Sequence, residues 1–178
     1  MKVLSIKEPY CSLIAYKNKR IETRSWGTNY RGPIYLHASA SRIPKEYREN
    51  KELMELASDI DMHYGCIICK AQLVDCVKMD EEFIEKVKAN HDEYAAGFYN
   101  AGRYAWILED VQVVKPLKAK GHLGIWNLDT EYKIWPEYLD LFGPDVDDDY
   151  VLSIEELLDL ATGWDVSTEE VLEGVYEI

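Results

Sequence analysis

The chain has 178 residues, of which 47% are hydrophobic, and a formal net charge of −13. This length and composition suit one compact core with a short appendage. The sequence contains no run of about 18 apolar residues, and its N-terminal segment MKVLSIKEPY lacks the apolar stretch of a secretory signal. We therefore exclude a membrane-spanning protein and expect a soluble protein of the cytoplasm with no membrane partner.

The predicted elements begin with a short strand at Lys2–Ile6. Pro9 suits the first turn of the helix that follows, in which apolar residues recur at helical spacing. Residues 19–26 are predicted to be extended, and residues 33–38 (PIYLHA) form a buried strand. Pro44 is predicted to start a second helix that continues to residue 60.

Two long strands are predicted in the next part of the chain. The first is CIICKAQLVDCVKM, after Gly65, and the second spans residues 103–117, with the helix DEEFIEKVKA between them. Residues 124–128 close the sheet as a last short strand. Because helices are inserted between long strands without regular βαβ alternation, we predict an α+β fold with a curved or barrel-like sheet.

The charge divides the chain into two parts. Residues 129–178 contain 16 Asp and Glu against one Lys, a net charge of −15, whereas residues 1–128 contain 17 acids against 19 bases, a net charge of +2. Within the first part, residues 1–43 carry eight Lys and Arg against two Glu, a net charge of +6. The split predicts a domain over residues 1–128 and an acidic extension over residues 129–178.

The extension is too apolar for a disordered tail and shows helix signals at residues 135–142, 154–161 and 168–175. We expect it either to dock on the first domain or to present an acidic helical surface to a protein partner. If it covered the basic residues 1–43, it would compete with nucleic acid for them.

Four cysteines occur, at positions 11, 66, 69 and 76. Cys66 and Cys69 have the spacing of a metal-binding pair, but on a strand two residues three apart point to opposite faces. We therefore predict reduced, mostly buried thiols, no metal site and no cofactor.

Five segments of the chain, in order, resemble the ASCH domain, a member of the PUA-like superfamily. They are LSIKEPYCSLI, KNKRIETRSW, RGPIYLHAS, GCIICKAQLVDC and GHLGIWNL. The family pattern Gly-x-Lys-x-x-Glu-x-Arg is matched by Lys19, Glu22 and Arg24, with Lys17 in place of the glycine. The resemblance implies a PUA-like β-barrel, a cleft beside the first helix, and binding of RNA or a nucleotide-like ligand. It does not extend to residues 129–178.

Our leading interpretation is that Lys19, Glu22, Arg24 and Arg31 bind RNA or a modified nucleotide, because the cations attract phosphates and the carboxylate accepts from a base edge. Lys17 either adds a phosphate contact or blocks the close approach that a glycine would allow. A solvated basic surface, with Glu22 merely paired to a neighbouring cation, is the alternative.

Trp26 and His37 are further candidates for ligand contacts. Trp26 could stack on a base, or it could seal the barrel. His37 could donate to a ligand or carry a proton, or it could be a core histidine with satisfied ring nitrogens.

An enzymatic alternative comes from the same family. Some small ASCH proteins are acetylcytidine amidohydrolases, which use a Lys, a Thr three residues later and a distal Glu. Here Lys19 matches the first, Glu22 stands at the Thr position, and Asp75 is the candidate distal acid. These three residues are the candidate catalytic group for that reaction or for ribonuclease activity.

Overall fold

The computed structural model describes residues 1–142, 150–163 and 167–178. In these residues the larger sheet has six strands: β1 (Lys2–Ile6), β2 (Ile21–Arg24), β3 (Gly32–Ala38), β4 (Cys66–Lys78), β5 (Tyr104–Lys118) and β6 (Ile125–Asn127). Their order is β2-β5-β4-β3-β1-β6. β1 and β3 pair in parallel and the other neighbours are antiparallel. Register shifts between the long strands β4 and β5 bend both, and the sheet curls into a half-barrel.

Five helices are inserted among these strands: α1 (Tyr10–Tyr16), α2 (Lys45–Arg48), α3 (Lys51–Leu56), α4 (Glu81–Lys88) and α5 (His91–Ala95). α1 buries Leu13 and Ile14 against the main core, to which β1, β3, β4 and β5 contribute alternate residues. The α+β fold with a curved sheet and inserted helices is therefore confirmed.

The helices between β3 and β5 differ from the sequence-based prediction in two places. The single helix expected after Pro44 is two short helices, because the Asn50 side chain accepts a hydrogen bond from the Leu53 N–H and starts α3 anew. The helix α5 was not predicted at all. Its own cap is Asn90, whose side chain accepts from the Glu93 N–H.

The four cysteines, all within residues 1–142, are free thiols. Cys11, Cys66 and Cys69 are buried and Cys76 is half-buried. The expectation that Cys66 and Cys69 point to opposite faces is wrong, since both belong to the main core. A register shift between Ile67 and Cys69 interrupts the strand alternation there.

The C-terminal residues add a three-stranded antiparallel sheet in the order β8-β7-β9. Its strands are β7 (Glu131–Ile134), β8 (Val151–Ser153) and β9 (Val175–Glu177). A 3-10 turn at Pro136–Tyr138 and the helices α6 (Leu139–Phe142), α7 (Ile154–Gly163) and α8 (Thr168–Glu173) accompany it. Helices thus occur where the sequence indicated them, but the three strands were missed. The extension is mixed rather than only helical.

The extension packs against the half-barrel. Ile154 and Leu158 of α7 join Val3, Tyr35 and Ile67 in a second apolar cluster. At the polar edge, the Thr168 hydroxyl donates to the Pro116 carbonyl at 2.6 Å, and Lys70 pairs with Asp159 at 3.1 Å. None of the described helices is long and apolar enough to span a membrane.

Candidate functional site

A cleft of about 1060 Å³ opens where the ends of β1, β2 and β3 meet the loop that follows β5. This loop, residues 119–124, is called the rim loop below. None of the described residues after position 128 lines the cleft. The extension in the described ranges therefore leaves the cleft uncovered.

Positive charge dominates the cleft. Among the described lining residues, Lys7, Arg24, Arg103 and Lys120 are cationic and Glu22 is the one carboxylate. Lys7 and Lys120 are exposed to solvent, whereas Glu22 is buried. The lining thus has a positive balance in a chain whose net charge is −13.

Glu22 and Arg24 form a pair on β2. Arg24 Nε lies 2.9 Å from Glu22 Oε1, but its N–H is not aligned for a hydrogen bond. Arg24 Nη2 instead donates to the Ser5 carbonyl of β1 at 2.7 Å. The Glu22 carboxylate accepts no hydrogen bond among the described residues, and Arg24 has guanidinium N–H groups beyond the one that Ser5 accepts, so both side chains retain hydrogen-bonding capacity.

Trp26 provides a half-exposed aromatic surface at the cleft. The residue is 37% exposed, and its ring meets the buried Trp106 ring edge-on, with 4.7 Å between the ring centroids. The Trp106 indole N–H donates to the Trp26 carbonyl at 3.2 Å, which fixes the chain just beyond β2. Trp26 thus rests on the core while part of its ring faces solvent.

A second aromatic group lines the cleft, formed by Tyr10, Tyr47 and Phe98. Their ring centroids are 5.3 to 5.9 Å apart. Phe98 is 40% exposed, and the Arg103 guanidinium lies 5.9 Å from its ring centroid. Burial raises the pKa of the Tyr10 and Tyr47 hydroxyls, so both are neutral donors at physiological pH.

His37 lines the cleft but its ring nitrogens are engaged by the protein. Its Nδ1 lies 3.2 Å from Ser5 Oγ and its Nε2 lies 3.0 Å from the Ala119 carbonyl oxygen. The Trp126 indole N–H donates to Ser5 Oγ at 3.1 Å, so the Ser5 hydroxyl can donate to Nδ1 while Nε2–H donates to Ala119. Burial lowers the pKa of His37, and the neutral ring ties the rim loop to β3.

Lys19 does not line the cleft. Its side chain is 3% exposed, and Nζ lies 2.9 Å from Glu93 Oε1 while also donating to the Ile21 carbonyl. The other carboxylate oxygen of Glu93 accepts from the Arg20 N–H at 2.6 Å, and the Tyr99 hydroxyl donates to Oε1 at 2.6 Å. Lys19 is therefore half of a buried ion pair that fastens the start of β2 to α5.

Glu93 is one of the residues that sequence reasoning missed, and Lys7, Phe98 and Arg103 in the cleft lining are others. Glu93 lies 74 residues from Lys19 in the chain, in a short helix without a strong apolar period. Its Asn90 cap was the available local signal. Burial, together with the neighbouring Glu93 carboxylate, raises the pKa of Tyr99 well above its ordinary value, which keeps the hydroxyl a donor to that carboxylate.

Lys17, Arg31 and Asp75 also lie outside the cleft lining. Lys17 pairs with the exposed Asp59 at 2.6 Å. Arg31 pairs with Asp75 at 2.8 Å, and Asp75 also accepts from the Cys76 N–H. This backbone N–H, followed by Arg31, holds the pKa of Asp75 below its usual range.

The structure thus brings together part of the predicted site. Glu22, Arg24, Trp26 and His37 line one cleft, and the other four candidates do not. In particular, the group Lys19, Glu22 and Asp75 is not assembled, because Lys19 is bound to Glu93 and Asp75 to Arg31.

Known proteins that are similar to this chain include members of one family, two curated relatives and two solved structures. The family model described as "ASCH domain" matches residues 4–118. Activating signal cointegrator 1 of Homo sapiens and of Mus musculus are each 29% identical to this chain over 136 residues, which is 72% of this chain and 22% of each relative. The chain therefore spans about a fifth of the length of these relatives.

Two solved structures of ASCH from Zymomonas mobilis are also similar. One is 14% identical, covers 90% of this chain and 92% of its own, and has a TM-score of 0.43. The other, a tyrosine-to-phenylalanine mutant, is 15% identical, covers 71% of this chain and 88% of its own, and has a TM-score of 0.45.

Proposed function

Because the chain belongs to the ASCH domain family, we propose that it binds RNA or a nucleotide-like ligand in the cleft beside β2. The observation that carries the proposal is the composition of the lining, with four Lys and Arg against one carboxylate among the described residues. Exposed aromatic rings lie in the same cleft. Such a combination suits a phosphate backbone and stacked bases.

The cleft offers separate positions for the parts of a nucleotide. Lys7 and Lys120 are exposed, so they suit phosphates held by charge. Trp26 and Phe98 offer partly exposed faces for stacking. Glu22 and Arg24 together present an acceptor and a donor, which suits the edge of a base.

Lys19 supports this role from outside the cleft. Its pair with Glu93 fixes the chain immediately before β2, the strand from which Glu22 and Arg24 reach the ligand. In the proposed function, the lysine of the family pattern, Lys19, stabilises the strand. The other two matched residues, Glu22 and Arg24, face the ligand.

The first test is binding of a labelled single-stranded RNA at several salt concentrations. The logarithm of the affinity should fall linearly with the logarithm of salt, and Lys120→Ala should reduce the slope by about 0.7, the share of one phosphate contact on a single strand. Trp26→Ala should weaken binding about fivefold or more, as expected when a base loses its stacking partner.

Lys86→Ala is the matched control, because Lys86 is also exposed but pairs with Glu82 on α4, away from the cleft lining. It should leave both affinity and slope unchanged. No measurable binding at low salt, or equal effects of Lys120→Ala and Lys86→Ala, would contradict the proposal.

A further inference from the structure

The rim loop carries one unusual side chain, Leu123. It lines the cleft yet is 99% exposed, more than any other large hydrophobic residue among those described. Its neighbours in the loop are Lys120, Gly121, His122 and Gly124. A large apolar side chain is thus held in water at the mouth of a basic cleft.

Contacts before Leu123 and the backbone conformation after it constrain the rim loop. Before it, Ala119 accepts from His37, and Gly121 fits so closely that a Cβ would lie 2.6 Å from His37 Cε1. The His122 ring lies 5.1 Å from the Trp126 ring centroid. After it, Gly124 adopts a φ of +71°, a conformation that side-chain-bearing residues rarely take. The backbone around Leu123 is therefore constrained, and its side chain projects into solvent.

An apolar side chain in this position suits a stacked nucleic acid better than a free nucleotide. Some proteins insert an aliphatic side chain between two neighbouring bases. The side chain separates the bases and contacts the faces that were stacked on each other. The cleft behind Leu123 is large enough for an extruded nucleotide, since sites for molecules of that size have volumes of about 300–1000 Å³. Lys120, on the same loop, is exposed and offers a cation for an adjoining phosphate.

We propose that Leu123 is a wedge, and that the ligand is a base-stacked RNA from which one nucleotide turns out into the cleft. The extruded base lies against Trp26, and Leu123 occupies the place it leaves in the stack. This inference rests on the proposed function. It narrows the ligand from any nucleotide to a nucleotide within a base-stacked RNA. Extrusion is least costly at a bulge or a mismatch, where pairing is already lost.

The experiment uses the full chain and two RNAs of equal length and charge. One is a hairpin with a single bulged 2-aminopurine in its stem, and the other is an unpaired strand containing the same base. Since stacked neighbours quench 2-aminopurine, its emission should change when the hairpin binds and the base moves from the stem onto Trp26. Leu123→Ala should abolish this change and weaken hairpin binding at least about tenfold, because no apolar side chain then fills the opened step. Its affinity for the unpaired strand should stay within about twofold, because charge and Trp26 stacking remain.

Leu123→Met should keep both the emission change and the affinity, since it retains an apolar side chain of similar size. Ile178→Ala is the matched control, because Ile178 is 57% exposed and does not line the cleft. It should behave as the unaltered protein does.

The outcomes separate the two proposals. Salt-dependent binding of both RNAs with no emission change, or with equal effects of Leu123→Ala and Ile178→Ala, overturns the wedge and leaves the proposed function standing. Binding of neither RNA overturns both. Binding of both, with the emission change lost only in Leu123→Ala, supports both.

Discussion

The ammonium group of Lys19 and the carboxylate of Glu93 are 2.9 Å apart, and their side chains are 3% and 7% exposed. Two charges this deeply buried are stable together because each offsets the desolvation of the other. Lys17, two residues earlier, makes an ion pair of similar length with Asp59, but at the surface. The two lysines lie two positions apart, but they have different partners. Removing Lys17 leaves an exposed carboxylate, whereas removing Lys19 leaves a buried one.

Lys19→Ala should lower the free energy of unfolding by about 3–5 kcal/mol, because it leaves Glu93 buried without its partner. Lys17→Ala, the matched control, should have little effect, since Asp59 remains hydrated. Urea denaturation followed by circular dichroism measures both. Equal effects of the two substitutions would contradict a buried pair at Lys19.

Among the helices and strands, the sequence predicted best those whose residues show a local apolar pattern or a cap. β4 and β5 are long, largely apolar strands and α4 has a side-chain cap at Asp80, and all three occur close to their expected bounds. The shorter β1 and α1 also occur where they were expected. The strands β7, β8 and β9 have only three or four residues each. Such short segments are stable through pairing with distant residues, as in Ile134 with Val175, and their own sequence carries little signal.

The same limit applies to the site. The side chains that reach the cleft from β2 follow from its alternation and from the residues just beyond it. Whether Lys19 and Arg31 also reach it depends on partners 74 and 44 residues away, Glu93 and Asp75. A local sequence pattern holds no information on ion pairs with distant residues. For this reason the sequence predicted both cations in the cleft, whereas the structure has both outside it.

The position of the rim loop depends on the close fit of Gly121. In Gly121→Ala, the new Cβ would lie 2.6 Å from His37 Cε1 and 3.0 Å from Ser5 Oγ, so the loop must move. We expect a severalfold loss of RNA affinity and a changed near-ultraviolet circular dichroism signal from Trp126, which packs on His37. Gly163→Ala is the control, because no described atom lies within 4 Å of its Cβ. An unchanged affinity in Gly121→Ala would show that loop position is not needed for binding.

At the scale of the whole molecule, the extension and the half-barrel share an apolar cluster. Leu158 of α7 is fully buried in it, beside Tyr35 of β3 and Val114 of β5. We propose that residues 1–128 and 129–178, although they differ in charge, unfold as one cooperative unit. The reason is that residues of both parts are buried in the same cluster.

Leu158→Ala should lower the free energy of unfolding by about 2–5 kcal/mol, the usual cost of a cavity at a buried leucine. Leu160→Ala, on the same helix but half-exposed, should cost clearly less. Tryptophan fluorescence and far-ultraviolet circular dichroism should report one coincident urea transition in each variant. Two separate transitions in the unaltered protein would show that the parts are independent domains.

The edge-on contact between Trp26 and Trp106 has a practical consequence. One indole faces the cleft while the other is sealed beneath it, 4.7 Å away between ring centroids. Under the proposed function, a base that stacks on Trp26 should change the emission of an indole already present in the chain. Tryptophan emission should then report ligand binding without an added label, and Trp26→Phe provides the blank.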